Sequence, residues 1–368
     1  MSEFWNTKTR SLTPYVPGEQ PQNKKFVKLN TNENPYPPAP VVLRTIRKAV
    51  DQSIRLYPDP ESAELRQLIA EKYAVKPEQV FVGNGSDEVL SMAFAAFFES
   101  ASTEDGTAPL PVLFPDVTYS FYPVFADLWG VPYETPAVQK DFTIDIKDYR
   151  RRAGGVVLAN PNTPTGLLLP LTEVRAILKY HEKYNKVVIL DQAYAPFSKG
   201  GTKAVPALIE RYPNLLTVHT LSKSSSLAGM RIGFAIGNAK LIEGLCRIRD
   251  SFNSYTLDRL AQAAGAAAIS ASRYFKGTAK KIIATRERIS ADLKNAGIDV
   301  LPSEANFIFI RIPKVDGAKV YAALKKKGIL VRHFNKPQTA DYVRVSIGID
   351  EEMDRFVAEC AAIKSAVK

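Results

Sequence analysis

Lys223 lies in the run His219-Thr220-Leu221-Ser222-Lys223-Ser224-Ser225-Ser226-Leu227-Ala228-Gly229-Met230-Arg231, among hydroxyls, small residues and a nearby arginine. A lysine forms a Schiff base with an aldehyde only as the neutral amine, and desolvated or cationic surroundings make that form available by lowering its pKa. Such a lysine can anchor a cofactor covalently. Ser222 and Arg231 suit an anionic group beside it, the guanidinium as a planar fork for phosphate. Read alone, Thr220-Leu221-Ser222-Lys223 is equally a helix cap followed by a solvated lysine.

Other motifs precede it in a definite order. Lys186-Val187-Val188-Ile189-Leu190-Asp191-Gln192-Ala193-Tyr194 is a continuous apolar run, the pattern of a parallel strand buried on both faces, and it ends in a carboxylate. Open α/β sheets bind ligands beyond the carboxyl ends of their strands, where a buried aspartate needs a cation; a protonated pyridine nitrogen would serve. Val156-Val157-Leu158-Ala159 is a second buried strand, breaking into the turn Asn160-Pro161-Asn162-Thr163-Pro164-Thr165-Gly166. Val80-Phe81-Val82 leads through Gly83-Asn84-Gly85-Ser86-Asp87-Glu88 into an apolar helical stretch, Val89 to Phe98. Glycines that let backbone approach the positive end of a helix make a phosphate site, although a plain left-handed turn capped by Ser86 or Asp87 uses the same residues.

Together these sites resemble the fold-type I aminotransferases that use pyridoxal 5′-phosphate, over nearly the whole chain. Leu12-Thr13-Pro14-Tyr15, Leu29-Asn30-Thr31-Asn32-Glu33-Asn34-Pro35, Arg55-Leu56-Tyr57-Pro58, Thr118-Tyr119-Ser120, Ser303-Glu304-Ala305-Asn306-Phe307 and Val343-Arg344-Val345-Ser346-Ile347-Gly348 narrow the resemblance to the histidinol-phosphate aminotransferases. It implies an α/β protein, with a large doubly wound, mostly parallel, seven-stranded-type sheet domain and a smaller α+β domain. It also implies conversion of L-histidinol phosphate and 2-oxoglutarate to imidazole-acetol phosphate and L-glutamate by ping-pong chemistry, a step of histidine biosynthesis.

The resemblance carries roles residue by residue. Lys223 would hold the cofactor aldehyde and shuttle the proton between the substrate α-carbon and the cofactor methine carbon; Asp191 would keep the pyridinium nitrogen protonated. Tyr194 would bond the phenolate oxygen and Tyr119 would stack on the ring, although both tyrosines equally suit a core. The phosphate would lie against Gly85, Ser86 and Asp87 with Ser222 and Arg231, and Tyr57 would reach in from the second subunit of a homodimer. Arg332 and Arg344, with Tyr15 and Asn32, would bind the substrate, the arginines taking its phosphate and then the carboxylate of glutamate. Two positions depart from the family pattern. Thr163 stands where many members have asparagine, so Asn162, Asn160 or Tyr194 alone must reach the phenolate oxygen; Asn162 is favoured. Gln192 replaces the usual glutamate and is expected on the other side of the strand from Asp191.

The elements that position these residues follow from periodicity. Residues 1–30 are polar and proline-bearing, an expected arm; 31–250 read as the large cofactor-binding domain, and 251–368 as a linking helix and small C-terminal domain. Ser62 to Tyr73 has helical spacing with Ser62 as its cap, Asn238 to Ala296 is one long helical region, and Asn306 to Ile312 and Tyr342 to Ile347 read as strands. A chain of 368 residues, 45% hydrophobic, can bury a core of this size.

Cys246 and Cys360 show no metal spacing, and His181, His219 and His333 form no cluster, so no metal is expected. Two thiols, with a polar start Met1-Ser2-Glu3-Phe4-Trp5-Asn6, point to the cytoplasm; no membrane span is expected. The net charge of +11 raises a nucleic-acid-binding reading, but the basic residues are interleaved with acids along helices such as Lys280 to Arg288, so no nucleic-acid partner is expected. Within the resemblance, an aromatic amino-acid aminotransferase acting on phenylalanine or tyrosine with 2-oxoglutarate, or a phosphothreonine decarboxylase, would share the cofactor residues. Tyr15 and Arg332 favour the phosphate ester, because a plain amino acid leaves one arginine without an anion.

Overall fold

Near-continuous apolar runs, buried along their length, build most of one seven-stranded sheet. The computed structural model describes residues 3–21, 26–100 and 106–366. In chain order the strands are β1 (Val80–Asn84), β2 (Val112–Leu113), β3 (Tyr133–Glu134), β4 (Gly155–Ala159), β5 (Val188–Asp191), β6 (Leu215–Thr220) and β7 (Ile232–Gly237). Their spatial order is β1-β7-β6-β5-β4-β2-β3. Pairs from β6 through β3 are parallel, and β7 runs antiparallel to both of its neighbours. The sheet is therefore mixed but mostly parallel, as the resemblance implies.

Both faces are covered. Val156, Leu158, Val188 and Leu190 point into one apolar layer, while Val157 and Ile189 between them point into the other. The helix Ala63–Tyr73 packs in the first layer and the helices Gly85–Phe97 and Phe121–Trp129 in the second. The first of these begins as predicted but is capped differently: Ser62 is in the left-handed region (φ 48°) and caps nothing. Asp59 supplies the acceptor instead, from the Glu61 and Ala63 amides at 2.9 and 2.7 Å.

The expected long helical region is three helices, Ala239–Phe252, Arg259–Ser270 and Ser272–Asn295. Asp258 interrupts it by accepting from the Leu260 and Ala261 amides at 2.8 and 2.9 Å, a side-chain cap that starts the second helix. Beyond them β8 (Asp299–Val300), β9 (Phe307–Arg311), β10 (Arg332–His333) and β11 (Tyr342–Ser346) form an antiparallel sheet in the order β10-β11-β9-β8. Its apolar face packs with Ile282, Ile289, Met353 and Phe356 into a separate core.

The chain start joins this second sheet region. Val27–Lys28 pairs in parallel with Ile329–Leu330, and the Ser346 amide donates to the Leu29 carbonyl at 2.9 Å. Of the expected arm, residues 1, 2 and 22–25 lie outside the described residues. Asn30 to Asn34 then touches both sheets: Asn32 meets Ser346 and Tyr194, and Asn34 donates to the Lys223 carbonyl at 3.0 Å.

Gly233 on β7 is the closest backbone approach that bears on function. A Cβ there would lie 2.3 Å from Gly85 C and Ser86 N. Gly233→Ala should therefore push β7 off the start of the Gly85–Phe97 helix, costing about 1–3 kcal/mol of overpacking strain in urea denaturation. Anion affinity at that helix start should fall with it; a variant matching the parent in both measurements would contradict this packing argument.

Candidate active site

The carboxyl ends of β5 and β6, the start of the Gly85–Phe97 helix and the β10–β11 pair meet around a cavity of about 390 Å³. Thirteen of the positions singled out from sequence can be followed there individually. Tyr15, Asn32, Ser86, Asp87, Tyr119, Asp191, Tyr194, Ser222, Lys223, Arg231, Arg332 and Arg344 all line the cavity. Gly85 sits just behind it, with φ +85°, and a Cβ there would approach Arg231 Nη2 to 2.6 Å.

Asp191 ends β5 and is 6% exposed. Its oxygens accept from the Ala193 amide at 3.0 Å and the Tyr122 hydroxyl at 3.1 Å. Burial outweighs these bonds and raises its pKa from 3.8 to about 6. Lys223 follows β6, and its Nζ donates to the Thr31 carbonyl at 3.2 Å. Burial first, then the Arg344 charge, push its amine down from 10.5 to about 8. The wall thus holds an acid and a base each displaced toward neutrality, the condition for proton exchange near neutral pH.

At the helix start, Arg231 Nη2 lies 3.1 Å from Asp87 Oδ2, while Tyr119 donates to Asp87 Oδ1 at 2.7 Å. Ser222 is buried beside them and accepts from Thr220 Oγ1 at 2.9 Å. Tyr194 accepts from Asn32 Nδ2 at 2.9 Å, and burial raises its pKa above 10.0. Asn32 is fixed in the left-handed region (φ 56°), which asparagine tolerates, by Ser346 Oγ on its amide and Asn306 Nδ2 on its carbonyl.

Two arginines face each other on the opposite wall. Arg332 and Arg344 are direct partners in the antiparallel β10–β11 register. Arg344 donates only to neutral oxygens, Thr163 Oγ1 at 3.1 Å and the Asn30 carbonyl at 3.0 Å, and its Nε has no partner. Arg332 donates to the Val16 and Pro17 carbonyls at 3.1 and 3.3 Å. Like charges opposite one another on a sheet are unfavourable. Burial lowers the Arg344 pKa below 12.5, and Arg332 adds to it. An anion between the two guanidinium groups relieves both effects.

Two sequence-derived positions lie elsewhere. Asn162 does not face the cavity: its amide donates to the Val117 carbonyl at 2.9 Å and Thr165 Oγ1 at 3.2 Å, and accepts from Thr118 at 2.8 Å. Asn160 is likewise committed, to both polar backbone groups of Leu169. The turn spends both amides on its own closure and turns Thr163 into the cavity instead. Tyr57 is 77% exposed, stacked on Tyr255 with ring centroids 4.6 Å apart, away from the cavity of its own chain.

Sequence reasoning gave Tyr122 and Glu33 no role, and read Thr163 only as a missing amide although it lines the cavity. The Asn30-Thr31-Asn32-Glu33-Asn34 motif carried a signal for Glu33, which is bonded to Lys28 Nζ at 2.6 Å and helps oppose the depression of Lys223. Tyr122 gave none, because its position in an apolar helix reads as core.

The family model for class I and II aminotransferases matches residues 24–359. The chain belongs to the class I and II aminotransferases. A histidinol-phosphate aminotransferase from Clostridium botulinum is 49% identical over 357 residues, covering 97% of each chain. The Aromatoleum aromaticum histidinol-phosphate aminotransferase is 48% identical over 372 residues, covering 100% of this chain and 99% of its own. A solved histidinol-phosphate aminotransferase from Sinorhizobium meliloti, in complex with pyridoxal-5′-phosphate, superposes with a TM-score of 0.86 at 26% identity, covering 100% of this chain and 99% of that one.

Because the folded pKa of Asp191 is raised to about 6 from 3.8, the folded ligand-free protein keeps a proton that the unfolded chain releases between those values. The associated stability is present below the unfolded value and lost as pH rises through 6. Asp191→Asn removes the titration, so the ligand-free variant should gain about 2–3 kcal/mol over the parent on going from pH 4 to pH 8, at ~1.4 kcal/mol per unit. Parallel stability curves for the two proteins across that range would show that Asp191 is not buried as described.

Proposed function

We propose that this protein is a pyridoxal-phosphate-dependent histidinol-phosphate aminotransferase, passing the amino group of L-histidinol phosphate to 2-oxoglutarate in two half-reactions at one site. The cofactor fits the residues present. A buried aspartate without a cation, a lysine depressed toward neutrality and a glycine whose missing Cβ admits Arg231 to the helix start match its ring nitrogen, aldehyde and phosphate. When bound, it supplies an electron sink for the pair released at the substrate α-carbon.

The chain's own residues do the rest. Asp191 would hold a proton on the ring nitrogen, a task for which a desolvated carboxylate beside a cation is suited. Gly85, Ser86 and Asp87 present backbone at a helix start, and Ser222 and Arg231 complete a phosphate site. Tyr194 Oη, fixed by Asn32, would bond the ring's phenolate oxygen, with Thr163 and Tyr119 on the same cavity wall to help hold the ring. Lys223 Nζ would anchor the aldehyde and is the base placed to carry the proton at the substrate α-carbon.

The observation that carries the substrate is the Arg332–Arg344 pair. A substrate phosphate satisfies both guanidinium groups, whereas a lone α-carboxylate engages Arg344 and leaves Arg332 on backbone carbonyls. Tyr15, stacked on Phe121 at 4.2 Å, closes the site from the chain start.

A homodimer suits the exposed apolar segment containing Val50, Ile54, Leu56 and Tyr57, near the exposed Phe252 and Tyr255. In it Tyr57 reaches the partner's phosphate site. Among the described residues no helix is long and apolar enough to cross a membrane, and no group of at least 3 metal-ligating side chains occurs. Both cysteines are free, which suits the reducing cytoplasm; recovery in an oxidising compartment on cell fractionation would count against it.

Arg332→Ala should lower kcat/KM for histidinol phosphate about 100-fold, from ~1.5–3 kcal/mol per charged hydrogen bond, and that for glutamate far less. Equal losses would remove the substrate argument. Lys223→Ala alone should show no turnover, and Tyr57→Ala should bind cofactor weakly. Mixed under subunit exchange, the two variants form heterodimers with one intact site, so activity should return. Exchange without recovery would contradict a site built from both subunits.

A further inference from the structure

A second cavity, of about 680 Å³, lies behind the strand ends that carry the active site. Strand alternation creates the relation: Asp191 lines the first cavity and Gln192 the second, while Thr220 lines both. The reaction described above uses none of its other residues.

Its rim is cationic. Lys72, Lys199, Lys203, Lys276 and Lys280 line it, and among the described residues no carboxylate does. The ion-paired lysines among the described residues are Lys28, Lys325 and Lys327, none of them here. Burial first and Lys276 second push the Lys72 ammonium down to about 8; burial and then Lys72 push His219 down to about 3. The cluster therefore repels itself and lacks a counter-charge.

The floor is different in character. Tyr73, His219, Phe234 and Phe275 form an aromatic base, with His219 and Phe234 stacked at 4.9 Å. Gln192, 8% exposed, leaves its Oε1 without a hydrogen-bond donor. A buried unpaired carbonyl is costly, and an N–H group on a ligand would satisfy it. We propose that this cavity binds a small organic phosphate carrying a flat, amine-bearing ring, the phosphate at the lysine rim and the ring on the aromatic floor with its amine to Gln192.

Adenosine 5′-monophosphate has those parts and serves as the probe. Titrated calorimetrically into the holoenzyme at ~0.1 M salt, where exposed charges still attract, it should bind. Lys276→Glu/Lys280→Glu should weaken it about tenfold or more, since two attractive charges become repulsive. The cofactor's visible absorbance and basal turnover of that variant should be unchanged, reporting an intact fold. Arg332→Ala should leave the probe's affinity unchanged, and inorganic phosphate should bind more weakly than the nucleotide. Absence of binding, full affinity in the double lysine variant, or loss with Arg332→Ala would each overturn the assignment, as would equal affinity for inorganic phosphate.

Discussion

Asp191 and Lys223 are held on one cavity wall by adjacent parallel strands, desolvated together yet not joined in an ion pair. Desolvation disfavours the charged form of each, so the carboxylate moves up and the amine moves down until both titrate near neutrality. A direct salt bridge would return both to ordinary values and leave neither available for chemistry. The backbone ladder between β5 and β6 fixes where the two strands end, so the sheet sets this condition.

The second charged wall follows the same logic with opposite consequences. Register in the β10–β11 pair puts Arg332 opposite Arg344, and ladder hydrogen bonds keep them there against their repulsion. Backbone and hydroxyl oxygens absorb some of the guanidinium hydrogens, but among the described residues no carboxylate forms an ion pair with either arginine. The segment Asn30 to Asn34 ties the two walls together, since it touches Arg344, Tyr194 and Lys223 from one short stretch of chain. A shift of the small sheet relative to the large one would therefore act on both the arginine pair and the amine.

Local chemistry made much of this legible. The continuous apolar run ending in Asp191 reads as a buried strand, and ligands gather where such strands end. What failed were judgements about direction within loops. Asn162 looked like the donor because its amide is the right type, yet closing the turn consumed it and aimed Thr163 inward. Ser62 looked like a helix cap for the same reason, and Asp59, three residues earlier, had the better reach. Tyr122 was silent because an aromatic residue in an apolar helix carries no mark of a hydroxyl aimed at a carboxylate.

By itself the sequence determined which groups could carry charge, which segments had to be buried and in what order the strand ends would present Asp191 and Lys223. Those properties depend on residue type and near-neighbour spacing, which the chain carries everywhere. Tertiary structure alone decided that Arg332 faces Arg344, that Glu33 and Thr31 reach Lys223 from the chain start, and that Gln192 opens onto a separate cationic cavity. Those relations join segments distant in sequence, and only strand register and packing bring them within reach of one another.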